Sequence, residues 1–203
     1  DNSPELDIFD TNNALSGDAT GRFPVEAHSG MNYIMVLKHH NYIKPVAFRS
    51  RNGSDFAGAY ATALTWFRKR DITDFSKLIV DNEVPPELRK LIEDAKIPFH
   101  LVPPSIHRIN PAERDIRTFK SHFIATLCAT DSNFPLRAWD ELIEGAELTL
   151  NLLRASHNDP HKSAWEDLNG PYSYDRTPIG PPGCLVVAFS SPDKRESFSP
   201  HGL

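Results

Sequence analysis

The period of apolar and polar positions changes along this chain and marks out its elements. Residues 13–20 carry a weak strand signal with Asp18 at its end, and Gly21 breaks it. Two β-type runs follow, NYIMVLK at 32–38 and IKPVAFRS at 43–50, separated only by the polar segment 39–42. Connections this short predict three antiparallel strands in a meander. Arg51, Asn52 and Gly53 then mark a turn, and Ser54 or Asp55 is placed to cap a helix reaching about Arg70. Phe56, Tyr60, Ala63, Leu64 and Phe67 fall on its inner side. KLIV at 77–80 is apolar at nearly every position and stops at Asp81. A run without polar alternation, flanked by helices, belongs in a sheet covered on both faces. Pro85 or Pro86 opens a helix to about Ala95, and FHLV at 99–102 supplies a fifth strand.

Beyond Pro103 and Pro104 lies a long helical pattern. Asn110 is suited to the N-cap and Pro111 to the first helical position. Ile116, Phe119, Phe123 and Leu127 form an apolar stripe, while Glu113, Arg117 and Lys120 recur on another face. A further helix is expected over 135–155, with Trp139, Leu142, Ile143, Ala146, Leu150 and Leu153 in register, and a short helical turn over 163–168. The order of elements predicts an α/β fold: a five-stranded mixed sheet flanked by helices, a C-terminal helical extension and a short β segment, LVVAF, at 185–189. Residues 1–13 read as a polar lead-in, 14–168 as the folded core, and 169–203 as a Pro- and Gly-rich linker opening a truncated C-terminal segment. An opening Asp1 in place of Met suggests a fragment of a longer product.

Composition narrows the class without naming a function. The 203 residues are 39% hydrophobic and 24% charged, which is ordinary for a globular protein. No apolar run is long enough to span a membrane, and no signal-peptide pattern opens the chain. Cys128 and Cys184 stand far apart without a C-x-x-C neighbour, so reduced intracellular thiols are expected and a zinc knuckle is not. The adjacent His39 and His40 lack the spacing of a metal finger. A net charge of −5 argues against a protein that only coats nucleic acid. Its distribution is more telling. Arg108, Arg114, Arg117 and Lys120 outnumber Glu113 and Asp115, whereas seven acids face three bases between residues 135 and 170.

Three carboxylates stand out against this layout. Asp18 ends the first strand, Asp81 ends the fourth, and Glu113 begins the helix after the fifth. Strand ends and neighbouring helix starts build the ligand crevice of open α/β sheets. Converging carboxylates repel one another unless divalent cations hold them, and hard oxygen donors suit Mg²⁺ or Mn²⁺. Two such ions would serve an in-line displacement at phosphorus, which makes phosphodiester chemistry the natural reaction class. Each acid also has a plain structural use: Asp18 in a turn, Asp81 as a helix cap, Glu113 in a capping box. Glu83 and Asp10 are rival ligands. The cations Arg117 and Lys120 lie one and two turns beyond Glu113, where phosphates would enter, or they form a solvated face; His107 and Arg108 precede the helix.

GDATGRFP at 17–24, IVDNE at 79–83, FHLVPPSIHRINPAERDIRTFKSHFIATLC at 99–128, AELTLNLLR at 146–154 and SAWEDLNGPYSYDRTPIGPPG at 163–183 together resemble the integrase catalytic core of LTR retrotransposons, of the copia-like kind. The resemblance implies an RNase H-like fold with a D,D,E triad at Asp18, Asp81 and Glu113 holding two Mg²⁺ or Mn²⁺ ions. It implies 3′-end processing and strand transfer by a polynucleotidyl transferase with endonuclease activity. DNA contacts would fall at Arg117, Lys120, Arg108 and His107. Retroelement end DNA and target DNA would be the partners of a homo-oligomer working in the nucleus or in virus-like particles. The spacing from Asp81 to Glu113 is shorter than in the retroviral members, an N-terminal zinc-binding module is absent, and Pro111 and Asp115 depart from the commoner pattern. Two other readings remain: a catalytically silent, domesticated domain that binds DNA or protein, and another RNase H-like nuclease.

Overall fold

Small residues build the middle of the sheet. The computed structural model describes residues 13–80, 84–101 and 111–184. Strand β1, Ala14–Ala19, is the least apolar of the five, yet it is central, and the sheet order is β3-β2-β1-β4-β5. Gly17 explains this. Its missing side chain lets Tyr60 pack directly on the strand, and the Tyr60 hydroxyl donates to the Gly17 carbonyl at 2.9 Å. Strand β2, Tyr33–His39, and strand β3, Tyr42–Phe48, form the expected antiparallel meander, turning through His40 at φ 50°. On the other side β4, Lys77–Val80, and β5, Phe99–Leu101, run parallel to β1.

Alternation along β2 sorts the two cores. Met35 and Leu37 join Leu78, Val80, Tyr60, Phe67, Leu88 and Ile92 in a core built with α1, Gly53–Arg68, and α2, Pro86–Asp94. Ile34 and Val36 face the opposite way, into a core with Phe119 and Phe123 of α3, Pro111–Cys128, and with Trp139, Ile143, Ala146 and Leu150. Both faces are covered, which is why IMVL is buried throughout.

Several expectations need correction. Asn52 caps α1, its side chain accepting from the Asp55 N–H at 2.7 Å, because Gly53 already lies inside the helix. The helix expected over 135–155 is two pieces: a 3₁₀ segment, Leu136–Leu142, bent at Ala138, followed by α4, Ile143–Leu153. The Trp139 indole N–H donates to the Val25 carbonyl at 2.9 Å and its ring stacks on Phe23 at 4.3 Å, so the break serves to seat the indole on the loop after β1. Leu153 is 79% exposed and leaves the expected stripe. The short helix α5, Ala164–Asn169, has a full capping box between Ser163 and Glu166. From Gly170 to Cys184 there is no helix or strand. The lead-in and the expected strand at 185–189 lie outside the described residues.

Candidate active site

Asp18 is the next-to-last residue of β1, paired across to Val36. Directly opposed residues of an antiparallel pair share a face. Asp18 therefore belongs to the Ile34 and Val36 face, the one that α3 covers. Its Oδ1 accepts from the Ala19 N–H at 2.6 Å. Because β4 runs parallel to β1, with Ser16 opposite Ile79, both strands run out at the same edge of the sheet. At that edge, on the α1 and α2 side rather than the α3 side, Val80 and Asp18 line a cavity of about 320 Å³ with Gly17, Phe56, Tyr60 and Leu88. Asp81 follows Val80 in sequence but lies outside the described residues, as do Asp10, Glu83, His107, Arg108 and Asn110.

Helix α3 supplies the third acid. Spacing of about 100° per residue puts Ala112, Asp115, Ile116, Phe119 and Phe123 on one side. That side is packed, with Ala112, Phe119 and Phe123 buried. Glu113, Arg117 and Lys120 are exposed along one flank. Lys120 borders a second, apolar cavity of about 400 Å³ shared with Thr20, Gly21 and Phe23, so this flank is turned toward the loop leaving β1. The first turn of a helix also favours a carboxylate such as Glu113 through its exposed amides.

Three features were not anticipated. Arg51 reaches back from the start of α1 to the exit of β1, where its guanidinium donates to the Thr20 carbonyl at 3.1 Å, and it lines the same cavity as Asp18. Asp115, an acid among the bases of this helix, is buried and pairs with Lys38 of β2 at 3.2 Å. Burial holds its carboxyl above the usual range, against the pull of Lys38. Its position four residues before Phe119, on the apolar stripe, was the available signal. Glu147, one of the seven acids between residues 135 and 170, is likewise buried, accepting from the Tyr42 hydroxyl at 2.7 Å and from Lys44 at 2.6 Å. Burial raises its carboxyl too, opposed by Lys44.

Among the described residues, no group of three or more His, Cys, Asp or Glu is arranged for a metal ion. Asp18 and Glu113 are the two expected ligands within them, and both offer the hard carboxylate oxygens that suit Mg²⁺ or Mn²⁺. No helix among the described residues is long and apolar enough to cross a membrane.

No protein-family model and no curated protein sequence matches the chain. Solved structures do. The HTLV-2 integrase catalytic core domain, in complex with magnesium and in dimeric form, aligns with a TM-score of 0.56 at 16% identity, over 79% of this chain and 97% of that one. The catalytic core domain of BIV integrase aligns with a TM-score of 0.55 at 14% identity, over 77% of this chain and 93% of that one. A chain of the simian T-cell lymphotropic virus intasome, in complex with the PP2A regulatory subunit B56 gamma, gives a TM-score of 0.61 at 16% identity, over 94% of this chain and 66% of that one. Likeness at such identities is likeness of fold, and the fold of this chain is that of the integrase catalytic core, an RNase H-like five-stranded mixed sheet flanked by helices.

Proposed function

We propose that the chain is a DNA integrase core of the copia-like kind, which trims the 3′ ends of retroelement DNA and joins them to target DNA. One observation carries this reading: in an integrase-core fold, Asp18 shares the sheet face covered by α3, whose first turn carries Glu113. Asp18, Asp81 and Glu113 would hold two Mg²⁺ or Mn²⁺ ions. When bound, these ions supply Lewis acidity to both the entering and the leaving oxygen of an in-line displacement. The HTLV-2 core with magnesium supports that choice of metal.

The chain's other groups bind and orient. Arg117 and Lys120 draw DNA phosphates along the exposed flank of α3, with His107 and Arg108 ahead of them. Arg51 places positive charge where β1 ends. A homo-oligomer engaging both DNAs, in the nucleus or in virus-like particles, fits this role; the dimeric and trimeric forms of the HTLV-2 core support self-association. Residues from 169 on would tether a further segment.

The test is a strand-transfer assay on short duplexes carrying element ends, run with Mn²⁺, comparing the chain with Asp81→Asn. Turnover is expected to fall at least about a hundredfold, the scale of removing a group that stabilises the reacting phosphate. Equal product from both proteins would remove the assignment.

A further inference from the structure

Asp115 and Glu113 are two residues apart on the first turn of α3. At about 100° and 1.5 Å per residue they project about 200° apart around the helix and about 3 Å apart along it. They therefore lie on opposite flanks. Asp115 is on the side of α3 nearer α4, the side from which His122 meets Thr149 at 2.8 Å. Glu113 lies on the same flank as Lys120, which borders Thr20 and Gly21 of the loop after β1.

The ion pair tying Asp115 down is largely shielded, with side chains 17% exposed for Lys38 and 4% for Asp115, at 3.2 Å. Lys38 is its hydrogen-bonding partner, and the second carboxylate oxygen, Oδ2, is buried without one among the described residues. Arg154 and Arg114 add a weaker electrostatic pull. Lys38 stands opposite Ser16 on β1, two residues along β2 from Val36, the partner of Asp18. The β1–β2 register thus sets the Lys38 anchor of α3 two residues along the sheet from the position facing Asp18.

We propose that the Asp115–Lys38 ion pair fixes the roll of α3 about its axis and thereby holds Glu113 on the flank beside the end of β1. Both are positioning residues, and their effect on turnover rests on the integrase reading above. The other anchors are poorly placed for this task. Phe119 and Phe123 lie about 6 and 12 Å further along the axis, Ala112 offers only a methyl group, and Ile116, next to Asp115, is only half-buried against the core. Apolar burial is non-directional, whereas a charge-assisted hydrogen bond has a geometry to keep. A roll of about 15° would carry a carboxylate about 5 Å from the axis through about 1.3 Å. Misplacement of about 1 Å in a reacting constellation can cost about a hundredfold in rate.

The experiment compares the chain with Lys38→Met, Lys38→Arg and Asp115→Asn. Its readouts are kcat and KM for strand transfer on end duplexes with Mn²⁺, and amide hydrogen exchange over residues 112–118 against 119–127. For Lys38→Met we expect kcat to fall about 10- to 100-fold with KM held within about twofold. Exchange should quicken over 112–118 while 119–127 keeps its protection. Lys38→Arg, which retains the charge, should recover both. If Lys38→Met does not fold, Asp115→Asn is read by the same criteria. Wild-type kcat and exchange in the charge-removed variant would overturn the proposal, and so would loosening spread evenly over the whole chain. An inactive wild type would sink the integrase reading, and exchange over 112–118 would then decide the positioning claim by itself.

Discussion

Gly17 occupies a position where an added Cβ would stand 3.0 Å from both Leu37 Cγ and the Tyr60 hydroxyl oxygen. Such contacts force neighbours aside in a packed core. Gly17→Ala is expected to cost about 1–3 kcal/mol in urea unfolding, and to lower strand transfer beyond that because Asp18 is the next residue; an unchanged midpoint would show that Tyr60 yields freely. His39 gives a pH signature. Its ring meets Asn13 at 2.8 Å and lies tilted against His40 at 4.1 Å, which stacks in turn on His157 at 4.3 Å. Burial, then His40 and His157, lower its pKa from 6.5 to about 4. The unfolded chain then takes up a proton more readily than the folded one, so stability is lost as pH falls from about 6.5 to about 4 and levels off below. His40, also lowered chiefly by burial, acts in the same direction. The raised carboxyls of Asp115 and Glu147 act in the opposite direction. Comparison with His39→Gln isolates the ring: the variant should lose less stability between pH 7 and pH 4.5, and parallel curves would remove His39 as the cause.

Among the elements, α3 divides its work by face. Its packed side fixes it to β1 and β2, and its exposed flank carries Glu113, Arg117 and Lys120. Arg117→Glu should weaken DNA binding and flatten the dependence of log affinity on log salt by about one for each phosphate that is no longer neutralised. Titrations at several salt concentrations would measure it. An unchanged slope would make that flank a solvated surface. The 3₁₀ break before α4 shows an element shaped from outside. Helical periodicity runs through 135–155, but seating Trp139 on Phe23 and Val25 requires a tighter turn there.

Across the whole molecule, α4 closes the second face and guards an edge. Asn151 is fully buried, and its side chain donates to the Ile43 carbonyl at 2.8 Å and accepts from the Ile43 N–H at 2.9 Å. Edge strand β3 thus has these backbone groups satisfied by a side chain. Glu147, one turn earlier, joins Tyr42 and Lys44. Glu147→Ala would strand a buried ammonium and an unbonded phenol, and is expected to cost about 3–5 kcal/mol in urea unfolding. A loss below about 1 kcal/mol would mean that Lys44 escapes to solvent beside Trp66.

Strand and helix order was legible in the sequence because each element's apolar period is local. The short polar segment 39–42 gave the β2–β3 hairpin, KLIV gave a doubly covered strand, and Pro111 and the Phe119–Phe123 stripe marked the long helix. Asp18 and Glu113 were legible as candidates for the same reason, each standing at a change of element. Pairing across the sheet was not. Register alone put Asp18 on the face that α3 covers, and folding alone made inward partners of Asp115 and Lys38, and of Glu147 and Lys44. A charge in a sequence reads as surface, since burying it is costly unless a partner of opposite sign is brought alongside. Both pairs are separated by more than 70 residues of chain, so only the tertiary structure could bring those partners together.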